Sequence, residues 1–294
     1  MSAGRLLVPV ANPETANRLL DTAVDLAADR NLEIHVLSVV TVPMQLSLSQ
    51  ARSSLETGDR EELVDDAVER ARGYGVDASG RIRFARSVAS GICGVATDVD
   101  AEEVLLGWRG RSRRRDVVLG SHIDAVLADA PCDVLVERID RDRAPVSSVL
   151  VPVAGGPHTT FAASVAGSLA RTYDARVELL TVVPDRTEAA VADARGLLTR
   201  TSPALDAVSS VEETVLEGPV VETIVDRSER HEITVVGAAE AGLFRRVLVG
   251  DIAEAVGREA DGTVLMVKRH EPVSSALRRR ARDRVGSLFR HEKR

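Results

Sequence analysis

The sequence predicts an α/β protein made of two consecutive doubly wound domains, each a five-stranded parallel sheet with helices on both faces. Three observations carry this reading. Short β-prone apolar runs alternate with segments of helical periodicity, the same order of landmarks occurs twice in 294 residues, and a glycine-punctuated strand-loop-helix segment at 105–124, LLGWRGRSRRRDVVLGSHID, closes the first round. With 44% hydrophobic residues, the chain has material for two cores of roughly 100–150 residues each.

Residues 5–10 (RLLVPV), an apolar run after Arg5, read as the first strand. Ala16, Leu19, Leu20, Ala23, Val24 and Ala27 then recur at helical spacing, the stripe of an amphipathic helix. Residues 33–42 are the second strand. A helix at 56–74 follows, carried by Leu63, Val64, Ala67, Val68 and Ala71 and punctuated by Gly73 and Gly75. A strand at 81–85, a short helix at 87–99, a strand at 102–107, a helix at 121–130 and a strand at 133–138 complete the round. Such alternation predicts parallel strands, right-handed crossovers, and a ligand crevice at the strands' carboxyl ends where the winding reverses. If the first strand neighbours the fourth, the loop Pro9-Val10-Ala11-Asn12 meets the glycine loop there, and Val39 and Val40 wall the adjoining pocket. Asn12, ahead of Pro13, fits equally well as a helix N-cap.

The duplication is direct. RLLVPVA at 5–11 returns as VLVPVA at 149–154, with Leu7 and Leu150 offset by 143 residues. Later pairs, Gly107 with Gly237 and Gly120 with Gly250, are offset by 130, so the second round is 13 residues shorter in its middle. We expect domains at 1–140 and 145–270 and a separate tail at 271–294. The strands at 132–138 and 263–268 would each leave an open edge, and pairing them with one another removes it.

In the glycine segment the spacing is Gly107, two residues, Gly110, nine residues, Gly120, Ser121. Glycines there permit positive φ and close approach of a ligand, and the first amides of the following helix favour an anion. Arg109 and Arg113 are placed to clamp phosphates by bidentate hydrogen bonds, unless the five arginines between 109 and 115 are only a solvated loop. A capping box of Ser121 and Asp124 would explain the serine without a ligand. The single tryptophan, Trp108, falls inside the segment.

The four-position pattern resembles the nucleotide-binding signature of the universal stress protein family, and the resemblance extends over both rounds, about 4–270. It implies two flavodoxin-like, Rossmann-like domains with strand order 3-2-1-4-5, and a site for ATP, with AMP or another adenine nucleotide as alternatives and Mg2+ accompanying a triphosphate. The implied nucleotide-binding set is Val10, Asn12, Val39, Gly107, Arg109, Gly110, Arg113, Gly120 and Ser121, with Val39 against adenine. One position departs: members that bind ATP usually carry an aspartate where this chain has Ala11. Association through the last strand is common in the family, which implies pairing of the two domains within one chain and admits a homodimer.

In the second round Glu240 replaces the second glycine and Asp251 the serine, with Arg245 and Arg246 as partial compensation. A carboxylate about 4 Å from a phosphate costs roughly 1 kcal/mol in water and about 4 kcal/mol at an effective dielectric near 20, so the second site is expected to be degenerate. No P-loop, zinc-protease or nucleophile-elbow motif occurs. Cys93 and Cys132 read as small core residues, and His35, His158 and His231 as packing or surface groups.

The net charge is −7, lysine occurs only at 268 and 293, and aromatics make up 2%. This argues against nucleic-acid binding and suits a halophilic or GC-rich source. The start MSAGRLLVPV lacks a secretion signal and no run is long enough to span a membrane, which predicts a cytoplasmic protein. The tail, with Leu277, Ala281, Val285, Leu288 and Phe289 among eight basic residues, predicts a basic amphipathic helix able to meet a membrane surface or a membrane transporter. The expected function is ATP-dependent regulation in the stress response. The alternatives are a nucleotide-free interaction scaffold, a transporter regulator, and a slow ATPase or autokinase.

Overall fold

The computed structural model describes residues 4–47, 49–51, 56–109, 119–139, 145–238 and 251–270. Gly110, Arg113, Glu240, Arg245, Arg246 and the tail at 271–294 lie outside the described residues, as does the side chain of Asp251. The first half runs β1 Gly4–Pro9, α1 Pro13–Arg30, β2 Leu32–Thr41, α2 Gly58–Gly73, β3 Ala78–Ala85, α3 Val88–Asp98, β4 Glu103–Trp108, α4 Ser121–Asp129 and β5 Asp133–Arg138. The second runs β6 Ser148–Pro152, α5 Gly156–Tyr173, β7 Arg176–Val183, α6 Glu188–Thr201, a 3-10 turn Ser202–Leu205, β8 Val211–Glu217, α7 Val220–Ser228, β9 Ile233–Gly237, α8 Asp251–Glu259 and β10 Thr263–Lys268. The residues missing from the second round fall mainly at one place: four residues join β7 to α6, where 16 join β2 to α2.

All ten strands form one sheet in the order β3-β2-β1-β4-β5-β10-β9-β6-β7-β8. Within each half the strands are parallel in the expected 3-2-1-4-5 order. The halves meet where β5 and β10 pair antiparallel, Leu265 opposite Glu137 through Lys268 opposite Val134, so neither last strand is an open edge. Helices α1, α2, α5 and α6 cover one face and α3, α4, α7 and α8 the other. Each face has one apolar cluster spanning both halves, so the hydrophobic core runs unbroken across the seam. The first cluster holds Leu19, Leu105, Phe161 and Leu169, and the second holds Val104, Val126, Val236 and Met266.

The seam has a reciprocal polar feature. Arg138, at the end of β5 and 2% exposed, donates from Nη1 to Gly257 O (2.9 Å) and from Nη2 to Ala260 O (2.7 Å) and Gly262 O (2.6 Å). Gly257 O and Ala260 O lie at the C-terminal end of α8 and Gly262 O in the turn between α8 and β10, so a cation from one half satisfies orphan acceptors and the negative dipole end of a helix in the other. Lys268, at the equivalent place in β10, donates from Nζ to Leu127 O of α4. The exchange follows from the antiparallel seam, which carries the last residue of each terminal strand under the other half's final helix.

The three histidines noted above are packing groups. His35 Nδ1 pairs with Ser79 Oγ (2.9 Å), His158 Nδ1 accepts from Arg269 N–H (3.0 Å), and His231 Nε2 meets Glu178 Oε2 (2.9 Å). Cys132 is buried, which pushes its thiol up to about 12, while Cys93 is half-buried. Burial opposes ionisation of Glu178, but hydrogen bonds from His231, Arg227 and Thr214 outweigh it and bring the carboxyl down to about 2. A carboxyl lowered on folding stabilises the protein above its unfolded value of 4.5, and that contribution is lost as pH falls through the folded value. We therefore expect acid unfolding between about pH 5 and 2 to weaken by up to roughly 3 kcal/mol in Glu178→Gln, read as a shallower acid limb in urea melts.

Candidate functional site

β1 and β4 pair at Leu6 with Glu103 and Leu7 with Val104. Past that point β1 feeds α1 on one face and β4 leads to α4 on the other, and a cleft of about 560 Å3 opens between them. This is the reversal of winding expected to hold the ligand.

Its lining includes Val10, Asn12, Val39, Gly107, Arg109, Gly120 and Ser121, every predicted site residue among those described; Gly110 and Arg113 fall outside them. Val40 does not line it. Alternation along β2 brings Leu37, Val39 and Thr41 to the cleft and turns Val40 away, so the expectation of a paired Val39-Val40 wall is corrected by the period of two. Arg60, Ile92 and His122 also line it, and the sequence reading missed them. Nothing in their spacing marks Arg60 or Ile92, because they arrive from α2 and α3 on opposite sides of the sheet.

Two main-chain features give the cleft its polarity. The first is on β2. Val10 N–H donates to Leu37 O (2.8 Å) at the end of β1. Val39, two residues further, turns its N–H and C=O the same way as Leu37, past the end of the neighbouring strand. The Val39 carbonyl accepts from Arg60 Nη1 (3.2 Å), which also donates to Ser38 Oγ (3.1 Å). The second is the start of α4. Its N-cap is Gly120, at φ +131°, ψ 143°, with no side-chain cap. Ser121 is the first helical residue, and the Asp124 carboxylate accepts from Leu119 N–H (3.2 Å), so the Ser121–Asp124 capping box does not form. The first-turn amides of α4 are therefore left for an external acceptor, and Ser121, His122 and Ile123 all border the cleft.

Asn12 fills the cap role: its side chain accepts from Thr15 N–H (2.9 Å) with Pro13 in the first turn, while its residue still borders the cleft. Arg109 pairs with Glu14 across the mouth (2.8 Å), both largely exposed. An exposed pair of this kind is worth about 0–1 kcal/mol, so an anion can take over the arginine. Trp108 points the other way. It is 2% exposed in the cluster on the α8 face, beside Gly257 and Met266, and so reports the seam and not the cleft.

The corresponding place in the second half is tighter. A Cβ on Gly237 would lie 2.7 Å from the carbonyl carbon of His158, a main-chain atom, whereas one on Gly107 would meet only side chains, Ile139 Cδ1 at 3.0 Å and Thr15 Cγ2 at 3.4 Å. The first turn of α5 thus rests directly on β9. Among the described residues no group of three His, Cys, Asp or Glu side chains could hold a metal ion, and no helix is long and apolar enough to cross a membrane.

Comparison with known proteins gives this architecture a family. The model of the universal stress protein family matches residues 3–138 and again 146–268. The chain belongs to the universal stress protein family. Its tandem form has the fold of a universal stress protein from Archaeoglobus fulgidus: TM-score 0.69 and 18% identity over 92% of this chain and 100% of that one. The cytoplasmic domain of a prokaryotic cation chloride cotransporter aligns with TM-score 0.58 and 14% identity, over 90% of this chain and 95% of that domain. Among curated relatives, the Na(+)/H(+) antiporter NhaS5 of Synechocystis is 30% identical over 184 residues, which are 62% of this chain and 26% of the antiporter. A putative universal stress protein of Staphylococcus saprophyticus is 27% identical over 146 residues, 46% of this chain and 83% of that protein. This universal stress protein chain thus spans about a quarter of the antiporter's length.

Proposed function

We propose that the protein is a nucleotide-dependent regulator whose first half binds ATP in the cleft between β1 and β4, in the cytoplasm where ATP is held. The convergence of the described motif residues on one cleft that has an apolar wall at one end and an uncapped helix start at the other carries this reading. The Val39 edge offers adenine one donor and one acceptor, with Val39 and Ile92 against the ring, and the α4 amides, Ser121 and Arg109 receive the phosphates. AMP would use the same base contacts with fewer phosphate contacts. Mg2+ would arrive on the triphosphate, since the described residues offer it no ligand set. The second half is read as a structural partner. The test is calorimetric titration of the full chain with MgATP at high KCl, with AMP in a parallel run: saturable one-site binding is expected, and no heat with either nucleotide sinks the proposal.

Ala11 borders the cleft and is exposed. Restoring a carboxylate there, Ala11→Asp, would accept ribose hydroxyls by charge-assisted hydrogen bonds. We expect about tenfold tighter ATP binding in the same titration, and unchanged affinity would remove the ribose from that corner.

A second reading concerns the output. The identity shared with NhaS5 favours a cation transporter as the regulated partner, reached through the basic tail. Co-sedimentation with anionic vesicles should require residues 271–294 and fade at high salt.

A further inference from the structure

At the start of α2 a cation stands where a helix disfavours one. Arg60 is the third residue of that helix, and its N–H donates to Thr57 O (2.9 Å). The helix dipole favours carboxylates in this first turn, such as the neighbouring Asp59 and Glu61, and opposes an arginine. The side chain leaves the helix for the end of β2. Half-buried, it lines the cleft, and Nη1 donates to Val39 O (3.2 Å) and Ser38 Oγ (3.1 Å). Both bonds use Nη1, and the guanidinium fork carries further N–H donors on Nη2 and Nε. A carbonyl oxygen has two lone pairs, so Val39 O can accept a second donor beside Arg60. The second half keeps the strand edge without the cation. Val153 N–H donates to Leu180 O (2.7 Å), as Val10 N–H does to Leu37 O, yet the third residue of α6 is Ala190.

The end of β2 therefore presents a donor in the Val39 N–H, an acceptor in the Val39 C=O and, hydrogen-bonded to that carbonyl, a second donor group in Arg60. The complement is a base edge that reads acceptor, donor, acceptor. Adenine has this edge in N1, the N6 amino group and N7. Guanine has a donor at N1 and acceptors at O6 and N7, so its O6 would face the Val39 oxygen, and the pyrimidines lack an acceptor equivalent to N7. We propose, resting on the reading of the cleft as a nucleotide site, that Arg60 is a specificity-determining residue that donates to N7 and selects adenine among the bases. Its bonds to Val39 and Ser38 hold the guanidinium at the edge before the base arrives, which reduces the side-chain entropy lost on binding.

The test is calorimetric titration of the full chain with MgATP, with MgGTP, and with the magnesium complex of 7-deaza-ATP, in which a C–H replaces N7. In the wild type we expect 7-deaza-ATP to bind about tenfold more weakly than ATP, the loss of one hydrogen bond from a charged donor, and GTP at least about tenfold more weakly. Arg60→Met should weaken ATP about tenfold and bind 7-deaza-ATP within about twofold of ATP. Such coupling between one ligand atom and one side chain would not arise from a general loosening of α2. Urea melts identify any loss that is unfolding, and the comparison of ligands in the wild type needs no variant. Equal wild-type affinity for ATP and 7-deaza-ATP, GTP binding as tight as ATP, or a preference for ATP over 7-deaza-ATP that persists in Arg60→Met overturns the role of Arg60 and leaves the nucleotide site standing. No heat with any of the three nucleotides overturns both.

Discussion

Gly120→Asp is expected to reduce ATP affinity by at least about 100-fold, the largest change from any single substitution in the cleft. Gly120 has φ +131° and is the N-cap of α4. A side chain there has room, since nothing lies within 4 Å of a built Cβ, so sterics against neighbours are not the obstacle. The backbone is: that region of φ is nearly closed to other residues and costs about 1–3 kcal/mol. The added carboxylate also caps the amides proposed to receive the phosphates and would repel them, by about 1 to 4 kcal/mol at roughly 4 Å depending on the local dielectric. Gly120→Ala carries the strain without the charge and separates the two effects. We expect it to lower stability by about 1–2 kcal/mol and to keep measurable binding. Wild-type affinity in Gly120→Asp would mean that the phosphates do not approach α4.

Arg138→Met should destabilise the protein by about 3–5 kcal/mol, a fall in melting temperature of roughly 10 °C. Methionine fills similar space but leaves the Gly257, Ala260 and Gly262 carbonyls without the donors they have in a buried seam. Arg138→Lys should recover part of the loss, because Lys268 shows that an ammonium at the equivalent place reaches a helix-end carbonyl. Since the lost contacts join the two halves, the Met variant should also melt in two steps where the wild type melts in one. Trp108, packed at the seam beside Gly257, provides the fluorescence signal. A change below about 1 kcal/mol would show that the carbonyls find other donors.

Much of this was legible in the chain itself, for identifiable reasons. Helical spacing marked α1 through Leu19, Leu20 and Ala23, all buried, and a short apolar run marked β1. The glycine spacing picked out Gly107 and Gly120, which border the cleft. The capping box at Ser121 failed because positive φ moves the cap back to Gly120, and a backbone angle leaves no trace in the spacing of side chains. Val40 was misassigned because a strand end read as a block ignores the alternation of faces.

The sequence by itself determined the α/β pattern, the duplication and the glycine loop, because these rest on local periodicity and on residues whose conformational needs are intrinsic. Only the tertiary structure decided that ten strands join in one sheet, that Arg138 and Lys268 cap each other's helices, that α5 rests on Gly237 in the second half, and that Arg60 reaches the Val39 carbonyl. Each of these depends on residues distant in the chain meeting across an antiparallel seam or between a helix and the sheet. No local rule encodes such a meeting, because it is fixed by how the apolar faces of the two halves bury the most surface together.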